Sequence, residues 1–122
     1  MGFNIAVCEG PILEVRYSGP VTYAERLEAL VTAGPMLGAH AITRVLVDFS
    51  AATLQDHDQP ARVDFVAKAI NLPSLDGCRV ALLCLPAGFA EPTLTAGFVR
   101  GMSIRRFDAR SDAVTWLHGV TR

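Results

Sequence analysis

Hydrophobic positions along this chain follow two periods that change over in a regular order. Phe3, Ile5 and Val7 alternate with Asn4 and Ala6. Leu13, Val15 and Tyr17 alternate with Glu14, Arg16 and Ser18. Between the two runs, Glu9-Gly10-Pro11 carries a turn signal. A period of two with one polar face predicts an antiparallel hairpin near a sheet edge, with Leu13, Val15 and Tyr17 inward and Glu14, Arg16 and Ser18 outward. Gly19-Pro20 is expected to stop the second strand.

The period then lengthens. Thr22-Tyr23-Ala24-Glu25 has the form of a capping box, in which Thr22 accepts from the Glu25 amide. Tyr23, Leu27, Leu30 and Val31 form an apolar stripe, with Glu25, Arg26 and Glu28 largely opposite. Gly34-Pro35 is expected to end or kink this helix, leaving Met36-Leu37 for a last irregular turn. Val45-Leu46-Val47 is a short aliphatic run suited to a strand covered on both faces. Asp48 falls where the run stops, and a loop is expected from Ser50 through Thr53. Asp58-Gln59-Pro60 starts a second helix with Phe65, Val66 and Ile70 on its apolar face, closed by Asn71-Leu72-Pro73. Cys78 to Leu85 reads as another buried strand, and Glu91-Pro92 opens a third helix carrying Leu94, Phe98 and Val99. Met102 to Phe107 is a short edge strand guarded by Arg105 and Arg106. Asp108 is expected to cap a final helix that buries Ala113, Trp116 and Leu117 and ends at Gly119.

The order β-β-α-β-α-β-α-β-α predicts an α/β domain. It has a single mixed, mostly parallel five-stranded sheet and four helices, because strand-helix-strand units pair in parallel through right-handed crossovers. A chain of 122 residues with 51% hydrophobic content is long enough for one domain, 1–122, around one well-filled core. A net charge of −1 gives no electrostatic basis for nucleic-acid binding. The apolar run Val80 to Leu85 is too short to span a bilayer, and Met1-Gly2-Phe3-Asn4 does not begin a signal peptide. Cys8, Cys78 and Cys84 are too widely spaced for a zinc pattern, and an odd count does not make a disulfide framework. They read as buried free thiols in a reducing compartment, the cytoplasm by default.

The pattern resembles the STAS domain superfamily, more narrowly its SpoIIAA-like branch of domains related to bacterial anti-sigma-factor antagonists. The resemblance rests on three segments in order and covers nearly the whole chain. They are Gly19-Pro20-Val21-Thr22 before the first helix, Val45 to Ser50 followed by a loop and a helix, and Ile104 to Asp108 with Ala113 and Trp116-Leu117. It implies a SpoIIAA-like fold and partner switching. In the antagonists, a serine at the start of the second helix is phosphorylated and this controls binding. This chain has Asp56-His57-Asp58-Gln59 there, so the acceptor serine is missing. Other members resemble lipid-binding Sec14 domains in fold, which implies an apolar ligand as an alternative.

The carboxyl ends of the parallel strands are where α/β sheets dock ligands and partners. Asp48, Ser50, Asp56, His57 and Asp58 are therefore the candidate contact residues. A histidine between carboxylates has its protonated form favoured and suits a pH-sensitive contact or a general base. The plainer reading makes Asp58 a helix cap and its neighbours solvated loop residues. Asp48 either positions a ligand or holds the following loop by accepting backbone N–H bonds. No Gly-x-Ser-x-Gly, G-x-G-x-x-G or P-loop pattern is present, and no metal or cofactor is expected. The leading expectation is a non-enzymatic regulatory domain that binds an unidentified protein partner. The alternative is a carrier of a small apolar ligand between helices and sheet, lined by Phe65, Phe89 and Phe98. An enzyme would need Asp48, Ser50 and His57 within hydrogen-bond reach of one another. A homodimer is the expected oligomer class for a small soluble domain.

Overall fold

The computed structural model describes residues 2–8, 11–54, 63, 67, 77–85 and 103–119. Five strands form one sheet in the order β1-β2-β3-β4-β5. They are β1 (Phe3–Cys8), β2 (Ile12–Val21), β3 (Arg44–Leu54), β4 (Arg79–Leu83) and β5 (Ser103–Phe107). The β1–β2 pair is antiparallel and the other three pairs are parallel. This is the mixed, mostly parallel sheet that the chain's periodicity predicts. Helix α1 (Tyr23–His40) and helix α2 (Arg110–Leu117) are described in full. Of the four expected helices, the second and third fall largely outside the described residues, although Val63 and Ala67 are helical.

Period-two alternation divides the core into two layers. Leu13, Val15, Tyr17, Val45, Phe49, Val80 and Leu82 pack with Ala29, Ala33 and Leu37 of α1. Ile12, Leu46, Ala81 and Leu83 pack with Ala113, Trp116 and Leu117 of α2. Full burial of each Val, Leu, Ile and Phe side chain among them stabilises the fold by about 1.5–3 kcal/mol.

Several boundaries differ from the sequence expectation. Gly19-Pro20 does not stop β2, which continues to Val21 and stays paired with β3 through Ala52, Thr53 and Leu54. Gly19 makes this possible by taking φ of +70°, a conformation that costs glycine nothing. Ser50 to Thr53 is accordingly strand and not loop. Helix α1 runs through Pro35 to His40. Pro35 and Val31 are exposed, so the carbonyl that loses its helical donor lies on the solvent side. Leu37 and Ile42 are buried and hold the last turn against the sheet.

The buried stripe of α1 is also rotated from the expected one. It is Tyr23, Arg26, Ala29, Ala33, Gly34 and Leu37, while Val31 is 59% exposed. Small residues at 29, 33 and 34 let the helix approach the sheet closely. At its N-terminus Thr22 accepts from the Glu25 amide at 3.3 Å, as the capping pattern predicts. Helix α2 differs: its N-cap is Ala109, with no side-chain cap, and not Asp108.

Candidate functional site

Helix α2 is seated by arginines that the sequence places far from it. Arg44 at the start of β3 donates Nε–H to the Leu117 carbonyl at 2.8 Å. Arg79 at the start of β4 donates to the Trp116 carbonyl, and its guanidinium lies 5.2 Å from the Trp116 ring centroid. Both cations meet the negative end of the helix, where its carbonyls lack helical partners. At the other end, Arg110 reaches across to β2. Its Nη1–H and Nη2–H donate to the two carboxylate oxygens of Glu14 at 2.8 and 2.7 Å.

Glu14 is the centre of a polar cluster on the α2 face of the sheet. Arg16 donates to its second oxygen at 3.0 Å, and the Cys8 thiol donates to its first at 3.2 Å. Arg16 Nε also lies 3.6 Å from Asp48 Oδ2. Glu14 and Asp48 are each about 5% exposed, whereas Arg16 and Arg110 are half in water. The Arg110 hydrogen bonds hold the Glu14 carboxyl down at about 2, against the opposing effect of burial. The same carboxylate pushes the Cys8 thiol up, chiefly through its hydrogen bond, and raises Arg110. Glu14 thus reverses its expected outward, wet assignment. Alternation gives its face correctly, but α2 covers that face.

Asp48 has a second role. Its Oδ1 accepts the Ser50 N–H at 2.8 Å. This bond sits at a bulge in the β2–β3 ladder: Arg16 pairs with Asp48 and Ser18 with Ala51, so Phe49 and Ser50 together oppose Tyr17. The Asp48 side chain satisfies a backbone donor within the irregular step. On the α1 face of the same step, Phe49 stacks on Tyr17 with centroids 5.4 Å apart. The guanidinium of Arg26, buried at 4% exposure, lies 5.4 Å from the Phe49 centroid and 5.2 Å from that of Tyr23.

The sequence-predicted residues divide accordingly. Asp48 is buried and Ser50 is exposed, and both lie in the middle of β3, which continues to Leu54, and not at the strand's carboxyl end as the sequence suggests. Asp56, His57 and Asp58, and the pocket residues Phe65, Phe89 and Phe98, lie outside the described residues. Glu14, Arg44, Arg79 and Arg110 are not among the sequence-predicted site residues. A charged residue on an otherwise alternating strand was the only available signal for Glu14. Among the described residues, no group of three His, Cys, Asp or Glu is arranged to hold a metal, and no helix is long and apolar enough to cross a membrane. Cys8, Cys78 and Cys84 are free thiols.

No protein-family model matches the chain, and no curated protein sequence matches it significantly. Solved structures do. The anti-sigma factor antagonist SpoIIAA in its unphosphorylated form is similar at TM-score 0.60 and 15% identity, over 98% of this chain and 100% of that one. The Bacillus cell fate determinant SpoIIAA in its phosphorylated form gives 0.59 and 14%, over 94% and 98%. An uncharacterized protein of the DUF3478 family with a SpoIIAA-like fold, from Shewanella loihica PV-4, gives 0.59 and 19%, over 95% and 92%. The chain has a SpoIIAA-like fold from end to end, as the three sequence segments imply.

Proposed function

We propose that this chain is a non-enzymatic, partner-binding regulatory domain of the STAS type, working in a reducing compartment such as the cytoplasm. The observation that carries this reading is the end-to-end likeness to SpoIIAA, which is described as an anti-sigma factor antagonist and is known in unphosphorylated and phosphorylated forms. A second observation supports this reading. It comes from the polar groups: Glu14 and Asp48 are committed to Arg16, Arg110 and the Ser50 amide, an arrangement that holds elements together. The contact surface in this reading is the segment from Ser50 to Asp58. Ser50, Ala51 and Thr53 are exposed along the second half of β3 and lead into it. Asp56-His57-Asp58-Gln59 takes the place of the family's acceptor serine, so binding here is not set by phosphorylation at that point.

The test is affinity capture with cross-linking from the source cell, comparing wild type with a triple variant, Asp56→Ala, His57→Ala and Asp58→Ala. The expected result is a specific captured protein that is lost in the variant, with unchanged thermal unfolding. Equal capture by both proteins removes this segment from the account.

A further inference from the structure

The two edges of the sheet are built differently. The β5 edge carries Arg105 and Arg106, both exposed. Pairing of β5 with its own copy about its centre would set Arg105 against itself, and directly opposed like charges are destabilising. The β1 edge, Phe3–Cys8, has no charge and no proline. Among the described residues only β2 pairs with it, and Asn4, Ala6 and Val7 are exposed, Val7 at 46%. An edge strand leaves a row of backbone donors and acceptors unpaired, and charge and proline are the usual means of protecting it.

We propose that β1 is a self-pairing edge: a second copy of this chain adds antiparallel to it across a twofold axis through Ile5. A twofold axis normal to a sheet keeps each face on its own side, so paired residues must share a face. The register about Ile5 meets this condition. It sets Phe3 opposite the other copy's Val7, Ile5 opposite Ile5, and Asn4 opposite Ala6. Phe3 and Ile5 already pack against the α1-side core, and Val7 continues that apolar row toward the hairpin turn. Pairing covers Val7 with the ring of Phe3 and brings no like charges together. The fit of the strand to its own reverse is what favours a second copy over an unrelated extended peptide. Six residues of strand bury less than the roughly 800 Å² per partner of a standard interface, so the dimer is weak and depends on concentration.

The test uses sedimentation equilibrium of the full chain from about 5 to 500 µM, where mass action reveals weak association. Wild type is expected to pass from monomer to dimer. Val7→Lys is expected to weaken the dimer by at least about tenfold. Two double variants read the register, both at exposed positions and both checked by thermal melting. Asn4→Lys with Ala6→Glu opposes unlike charges across the axis and keeps the dimer, with added salt weakening it. Asn4→Lys with Ala6→Lys opposes like charges and gives a monomer. A wild type that stays monomeric, a Val7→Lys chain that dimerises like wild type, or equal behaviour of the two double variants overturns the proposal.

Discussion

Arg110 and Glu14 stand 96 residues apart in the chain and form a two-pronged ion pair, with contacts of 2.8 and 2.7 Å. It joins the first turn of α2 to the second strand of the sheet. Arg110→Ala removes both donors and leaves a buried carboxylate with Arg16 and the Cys8 thiol alone. Charge-assisted hydrogen bonds of this kind contribute about 1.5–3 kcal/mol, reduced here because Arg110 is half exposed. We expect a loss of about 1–2 kcal/mol in urea unfolding, read as a lower midpoint at constant m-value.

The same pair makes stability depend on pH in one direction. Glu14 is depressed from 4.5 to about 2 in the folded protein. Its contribution is therefore complete above the unfolded value and is lost as pH falls from about 4.5 toward 2. Urea midpoints measured between pH 7 and pH 2 (roughly the span over which such a carboxylate titrates) should show this as a difference between proteins. The gap separating wild type from Glu14→Gln is expected to be constant above about pH 5.5 and to shrink below pH 4.5. A gap that stays constant down to the lowest pH would show that Glu14 is not specially stabilised.

Cys8 offers a kinetic readout of the cluster. Its thiol is pushed up by the Glu14 hydrogen bond, so less thiolate is present at mildly alkaline pH. Carbamidomethylation followed by mass spectrometry should find Cys8 slower in the native protein than in the urea-unfolded chain. Glu14→Gln is expected to speed the native reaction, because it removes the carboxylate that both accepts from the thiol and repels the thiolate.

Asp48 separates two effects by substitution. Asp48→Asn keeps an acceptor for the Ser50 amide and loses the charge facing Arg16, a partner half in water. The cost is expected to be under about 1 kcal/mol. Asp48→Ala loses the acceptor at the bulge as well and is expected to cost about 1–2 kcal/mol. Thermal unfolding of the two variants side by side checks the order. Equal effects would assign Asp48's importance to its ion pair.

The sheet was readable in the sequence because its signal is local. Leu13, Val15 and Tyr17 name a face, and the aliphatic run Val45 to Val47 names a buried parallel strand. The cluster around Glu14 was not readable, since alternation says which face a residue takes and not what lies over that face. That depends on where α2 lands, and Arg44, Arg79 and Arg110 decide it through contacts distant in sequence. Strand ends were missed for a related reason. Gly19-Pro20 and Ser50 carry turn chemistry, yet β2 and β3 continue past them together, because a bulge and a side-chain acceptor at Asp48 absorb the irregularity. At Pro35 the helix does not end, and the buried Leu37 holds the following turn against the sheet. The candidates Asp56, His57 and Asp58 remain the functional expectation of the resemblance.

The seating of α2 also bears on how the chain acquires its structure during synthesis. Its anchors are Arg44, Arg79 and Glu14, all made well before the helix itself. Until α2 emerges, Leu46, Ala81 and Leu83 lack the helix that packs on them among the described residues, and Glu14 lacks its Arg110 partner. Among the described residues, one face of the sheet can close early on α1, while the other closes on α2. Contacts of such long sequence separation form slowly, so the nascent chain passes through a stage with an open apolar face. The α2-side apolar face is thus completed by the last of the described elements to be synthesised.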